Sequence, residues 1–409
     1  MSIRQFFTHY PLLRFFLTAR FFFILALQMV NISVGWYLYE LTGNPLALGW
    51  VGLSEVIPAI SLALYAGHTV DRSDKRTLLR KGIIFYFAAV AGLAIITSSW
   101  CLQQTGAKKV ELLIYLFIFF TGVFRAFTWP TFQSIIAQLV EKKDLPRAIT
   151  LSTTSWQTAS VLGPVAAGVL IAKTGITTMY GFAIVMVLVS IGLISRIPPL
   201  PVQHNSLGQR TWESVKEGIR YVLKTKQVLG ALSVDMFAVL FGGATAMLPV
   251  FAKDILHVDA TGIGILKAAQ GVGTVAMLFL LNKYPLKGHQ GRTMLQCVAM
   301  FGLCILVFAI SKNFWLSFTA LLFSGVFDSV SMLVRSTILQ MYVPDAMRGR
   351  VSSVNSIFIN SSNELGQFES GMAARALGTV PSVVFGGTMT LVVVAIAWWK
   401  APTLRKLEY

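Results

Sequence analysis

The chain has 409 residues, 55% of them hydrophobic and only 12% charged, with a mean hydropathy of +0.68. A soluble domain carries roughly 25% charged residues, so most of this surface does not meet water and a soluble multidomain enzyme is excluded. The net charge of +17 sits mainly in alternate connections between apolar runs, and no stretch mixes basic residues with exposed aromatics, which argues for a membrane-orientation bias and against nucleic acid.

Apolar runs fall at about 14–42, 46–69, 82–102, 111–139, 149–172, 176–196, 228–252, 261–282, 293–311, 315–342, 351–374 and 380–399. Each is near the length of about 20 residues that crosses a bilayer. In hydrocarbon a backbone must satisfy its own polar groups, so the runs predict twelve helices, numbered here as spans 1 to 12. Lys and Arg concentrate after even-numbered spans: Arg72, Lys75, Arg76, Arg80 and Lys81; Lys142, Lys143 and Arg147; Arg348 and Arg350. That asymmetry predicts that both termini are cytoplasmic.

The long connection at 197–227 opens with Pro198, Pro199 and Pro201. It then places Trp212, Val215, Ile219, Tyr221 and Val222 among Glu213, Lys216, Glu217 and Lys224. This spacing predicts an amphipathic helix on the cytoplasmic membrane surface. The connection divides the chain into a bundle at 1–196, a linker at 197–227 and a bundle at 228–409. The bundles repeat. Phe120 to Arg125 reads FTGVFR and Phe323 to Asp328 reads FSGVFD, 203 residues on. The same register pairs Arg147 with Arg350, Gly163 with Gly366 and Gly168 with Gly371.

The loop after span 2 reads Gly67-His68-Thr69-Val70-Asp71-Arg72-Ser73-Asp74-Lys75-Arg76. Gly67 permits close helix approach, Asp71 sets a carboxylate at the membrane edge, and Arg72 and Arg76 follow. This pattern resembles the loop between helices 2 and 3 of the major facilitator superfamily. The resemblance covers nearly the whole chain. It implies an all-α membrane protein with twelve transmembrane helices in two pseudo-symmetric six-helix bundles. Leu41 to Gly49 and Val343 to Arg350 are similar to the drug:proton antiporter branch that includes macrolide and enterobactin exporters. Asp74 stands where other branches commonly have glycine. The resemblance also implies a role for Asp71. Helix 11, predicted to begin near Val351-Ser352-Ser353, would offer it free N–H groups, and Asp71 would latch the cytoplasmic side. A solvated loop carboxylate is the plain alternative.

In span 5, Ala159, Gly163, Pro164, Ala167 and Gly168 set small residues four apart with a proline kink. This resembles in part the helix 5 motif of superfamily exporters, which tilts the direction toward efflux, and tight packing explains it almost as well. Charges inside spans are costly and usually face a cavity or a partner. Those here are Glu55, Arg125, Asp235, Lys267, Asp328, Arg335, Glu364 and Glu369. Arg125 and Asp328 are repeat equivalents. Asp235 and Arg335 lie at equal depth and form an expected ion pair. Each charge also reads as a packing pair. As a set they read as function, because apolar residues would build a cheaper bundle. A carboxyl group in a dry site favours its neutral form, so Asp328, Asp235 and Glu55 are candidate proton carriers. Gln28, Asn31, Trp36 and Trp129 are candidate contacts for a bulky ligand.

No phosphate-binding loop is present, the histidines are scattered, and Cys101, Cys297 and Cys304 have no metal-ligand spacing. Neither an enzyme nor a metal or cofactor is expected. The reading is a monomeric transporter of the bacterial inner membrane. It would export a small amphiphilic drug or siderophore by alternating access, with the proton as coupling ion and the lipid bilayer as its surroundings. A lipid or nutrient carrier of the same fold stays open, as does a non-transporting sensor. A sensor would be expected to carry a soluble output domain.

Overall fold

The computed structural model describes residues 3–200, 211–284, 286 and 288–408, without the side chains of residues 3, 64, 67, 68, 71, 211–215, 244, 345, 346, 348, 349, 353 and 360. The Gly67 and Asp71 side chains of the expected latch, and the Trp212, Glu213 and Val215 side chains of the linker, therefore lie outside the described residues. Twelve main helices follow in order. They are α1 (Pro11–Thr42), α2 (Pro45–Arg72), α3 (Lys75–Ile96), α4 (Ala107–Leu139), α5 (Leu145–Thr174), α6 (Ile176–Ser195), α7 (Lys226–Phe241), α8 (Ala260–Lys283), α9 (Gln290–Ile310), α10 (Phe314–Tyr342), α11 (Asp345–Leu377) and α12 (Thr379–Lys400). The linker helix is Thr211–Lys224. Among the described residues, eleven helices are long and apolar enough to cross a membrane. The exception among the twelve is α11, which is 33 residues long but carries Asn355, Asn363, Glu364, Gln367, Glu369 and Arg375.

Most boundaries shift by a few residues from the sequence reading, α3 starting seven residues earlier at Lys75, and three differences change what a helix can do. Span 3 stops at Ile96, and a separate helix, Ser99–Thr105, follows. The Thr97 hydroxyl donates back to the Leu93 carbonyl at 2.7 Å, and Ser98 caps the new helix by accepting from the Cys101 N–H. Span 7 breaks after Phe241 at Gly242-Gly243. It continues as a 3-10 turn (Ala244–Met247), a short α segment and a π turn (Phe251–Ile255). Two adjacent glycines weaken the helix, and Pro249 supplies no N–H to rebuild it. The third difference bears on the latch. Helix α11 starts at Asp345 after Pro344, six residues before the expected start. The N–H groups of Val351, Ser352 and Ser353 are thus inside the helix and not free to meet a carboxylate.

The described residues form two compact units. Unit 1 holds Met1–Thr42 and Ser54–Gly208, and unit 2 holds Gly43–Leu53 and Gln209–Tyr409. In unit 1, α1 packs on α5 and α6, and α3 packs on α4 and α6. In unit 2, α7 packs on α11 and α12, and α9 on α10 and α12. The correspondence extends to single atoms. A side-chain carbon placed on Gly163 of α5 would lie 3.0 Å from the Leu25 carbonyl oxygen. One placed on Gly366 of α11 would lie 2.7 Å from the Leu240 oxygen. Likewise Gly122 lies under the Glu55 carbonyl and Gly325 under the Gln270 carbonyl. Gly175 and Gly378, at φ 87° and 92°, link the last two helices of each unit in a conformation that L side chains rarely adopt.

The paired positions lie 203 residues apart in α4, α5 and the Gly175 link. Those in α1 and α2 lie 215 apart. The register changes where Ser99–Thr105 stands between α3 and α4. Three residues suffice between α9 and α10.

Candidate functional site

Glu55 of α2 and Arg125 of α4 form an ion pair at 2.5 Å in unit 1, half-buried on both sides. The pair stands one turn from the place where Gly122 lets α4 meet the α2 backbone. In unit 2, Asp235 of α7 and Arg335 of α10 are buried and ion-paired with each other. The structure thus joins the two residues that the sequence placed at equal depth. Breaking such a pair from one side costs about 3–5 kcal/mol, because it leaves a lone buried charge.

Applying both registers to these pairs exposes an asymmetry. The equivalents of Glu55 and Arg125 are Gln270 and Asp328. Asp328 is half-buried and has no hydrogen-bond or ion-pair partner among the described residues. Lys267 of α8 is also half-buried and likewise without such a partner. Gln270 meets Gly325, and Gly273 meets Leu322 and Val326, where α8 and α10, two even-numbered spans that run the same way, cross. Lys267 lies one turn before Gln270 and Asp328 one turn after Gly325, on opposite sides of the crossing. This helix pair therefore carries an acid and a base with no ion pair between them among the described residues.

The equivalents of Asp235 and Arg335 are Arg20 and Phe132. Arg20 of α1 is only 4% exposed. Its guanidinium lies 5.5 Å from the Phe132 ring centre and 5.9 Å from that of Trp129, and it donates to the Ser152 hydroxyl of α5. Trp129 is 39% exposed and packs edge-on to Trp156 at 6.3 Å. Sequence reading named Trp129 but missed Arg20, Ser152 and Trp156. The available signal was an arginine at the seventh position of the first apolar run.

The remaining candidates are distributed as follows. Gln28 donates to the Ser160 hydroxyl at 3.1 Å and abuts Gly163. Asn31 is exposed, whereas Trp36 is buried within unit 1. Gly163, Pro164 and Gly168 are buried on α5, with Gly163 turned to α1. Arg72 is exposed, and Arg76 donates to the Ser195 carbonyl at 2.8 Å. Glu364 is buried on α11, and Glu369 accepts from the Ser370 hydroxyl at 3.4 Å.

At the loop after α2, Asp74 accepts from the Arg76 and Thr77 N–H groups, both at 3.2 Å, from the Thr77 hydroxyl, and from the Leu200 N–H at 2.8 Å. Burial alone would raise its pKa. Those hydrogen bonds outweigh burial and hold the carboxyl below its ordinary range. The linker helix is fastened to unit 2 by an ion pair between Glu217 and Arg350 and by the Tyr221 hydroxyl donating to the Tyr342 carbonyl.

Comparison with known proteins places this arrangement. The profile of the family described as transmembrane secretion effector matches residues 10–408. The enterobactin exporter of Shigella flexneri is 26% identical over 85% of this chain and 81% of its own length. That of Citrobacter koseri is 24% identical over the same shares. Among solved structures, a D-xylose-proton symporter matches with a TM-score of 0.73 at 14% identity, covering 98% of this chain and 100% of its own. A bacterial homolog of the human lysosomal transporter Spinster matches at 0.71 and 14% identity, covering 98% and 99%. These two structures establish the fold. The chain belongs to the transmembrane secretion effector family of the major facilitator superfamily, and it is a multi-pass membrane transporter for a small molecule, not an enzyme.

Proposed function

We propose that the protein exports a small amphiphilic compound, of the drug or siderophore class, across the bacterial inner membrane by proton-coupled alternating access. The direction is supported by the relatives named as enterobactin exporters. Coupling rests on one observation. Asp328 sits inside a membrane helix with no partner among the described residues, while its repeat equivalent Arg125 is ion-paired. A carboxyl group fixed in an ion pair has little reason to take up a proton. One without a partner can be neutral in one state and charged in the next, which is what a carrier must do. Asp235 and Glu55 are the lesser candidates, because each is engaged with an arginine.

The test uses proteoliposomes loaded separately with enterobactin, a macrolide and ethidium. An acidic outer bath should speed release of at least one of them by about tenfold. That is the effect of one pH unit at a one-proton site, about 1.4 kcal/mol. Asp328→Asn should remove the acceleration while exchange at equal pH continues. A pH response that survives in Asp328→Asn would rule out Asp328 as the carrier. Acceleration of uptake in place of release would overturn export.

A further inference from the structure

Among the described residues, Arg20 is a buried cation without a counter-ion. In unit 2 the two equivalent positions hold Asp235 and Arg335, which neutralise each other. In unit 1 they hold Arg20 and Phe132. Among the described residues Arg20 has one hydrogen bond, to the neutral Ser152 hydroxyl, and its Nε is buried without a partner. Three described acids of unit 1 are engaged elsewhere. Asp144 accepts from the Tyr10 hydroxyl at 2.7 Å, Glu141 pairs with Lys143 at 2.7 Å, and Glu55 pairs with Arg125. Ring faces attract a guanidinium, but they carry no net negative charge. Buried charges are otherwise paired, so the missing charge points to a ligand. Beside the guanidinium stands Trp129, with more than a third of its surface open, and against Trp129 packs the half-buried Trp156.

We infer that Arg20, backed by Trp129 and Trp156, is the anion-recognition element of the substrate site in unit 1, and that the transported class is an aromatic acid. The inference rests on the transport reading above. The planar guanidinium suits a carboxylate or a catecholate, whose two oxygens can take paired N–H donors. The indole rings would supply stacking area for the aromatic part. Ser152 is the positioning residue: it holds the guanidinium toward α5 and leaves the charge uncompensated.

The test is calorimetric titration of purified protein with 2-naphthoate and with its neutral isostere 2-naphthamide. Wild type should bind the acid about tenfold or more tightly than the amide. Arg20→Gln should bring the two affinities together, and Arg20→Lys should keep most of the preference. Ser152→Asp retains the guanidinium and gives it an internal partner, so it should keep the fold and still lose the preference. Failure of wild type to bind naphthoate, equal binding of acid and amide, or a preference that survives in Arg20→Gln or Ser152→Asp would each overturn the inference. Export stands apart from this result. Charge-blind binding together with pH-driven release that still depends on Asp328 would sink the anion site alone.

Discussion

Asp74 shows how much one side chain can fix at a helix start. Its carboxylate caps α3 through two N–H groups and ties the start of that helix to Leu200, after the end of α6. Sequence comparison could mark Asp74 only as a departure from the family's glycine. Its partner Leu200 lies far along the chain and is invisible to local pattern. Asp74→Ala should cost about 1–2 kcal/mol at neutral pH. The sign with pH follows from the depressed folded-state pKa. The contribution is present above the unfolded carboxylate value, near pH 4, and fades as pH falls through the lower folded value. Thermal unfolding of wild type and variant should therefore differ by a constant amount between pH 8 and pH 5 and converge only below about pH 4. Convergence already at pH 6 would mean that the carboxylate is not held as described.

At the scale of elements, the helices were legible because each apolar run must close its own hydrogen bonds. What composition could not reveal was where a run breaks internally. Span 7 remains apolar through Gly242-Gly243, and no hydropathy change marks its break. Nor could spacing alone decide what the small residues of α5 touch. Gly163 faces the α1 backbone inside its own unit, so its visible role is packing. Gly163→Ala would bring a methyl carbon to 2.6 Å from the Gln28 Cβ and should cost about 1–3 kcal/mol. Gly181 of α6 is the matched control, since nothing lies within 4 Å of the added carbon. Gly181→Ala should be neutral or stabilising by up to about 1 kcal/mol. Melting temperatures of both variants in the same detergent check the contrast. Equal shifts would mean that the α1–α5 contact is looser than it looks.

At the scale of the whole molecule, the repeat was half legible. A single register was readable because FTGVFR and FSGVFD keep their residue types. The second, 215-residue register was not, because Arg20 against Asp235 and Glu55 against Gln270 share no chemistry. It emerges only from backbone contacts that recur atom for atom. The two units therefore share geometry and differ in charge. At these two pairs of equivalent positions each unit has one closed ion pair, and lacks one where the other has it. If that correspondence is physical, the pair of unit 2 can be grafted onto unit 1. Arg20→Asp alone, or Phe132→Arg alone, buries a charge that has lost its setting or lacks a partner, and each should destabilise by about 3–5 kcal/mol. The double variant, Arg20→Asp with Phe132→Arg, should recover more than about 2 kcal/mol of the summed loss, a coupling within the range seen for contacting residues. Full recovery is not expected, since Phe132 also packs against the Phe16 and Phe23 rings. A double-mutant cycle on thermal or denaturant unfolding measures the coupling. Strictly additive losses would show that positions 20 and 132 do not face each other as 235 and 335 do, and the charge argument for the anion site would fall with them.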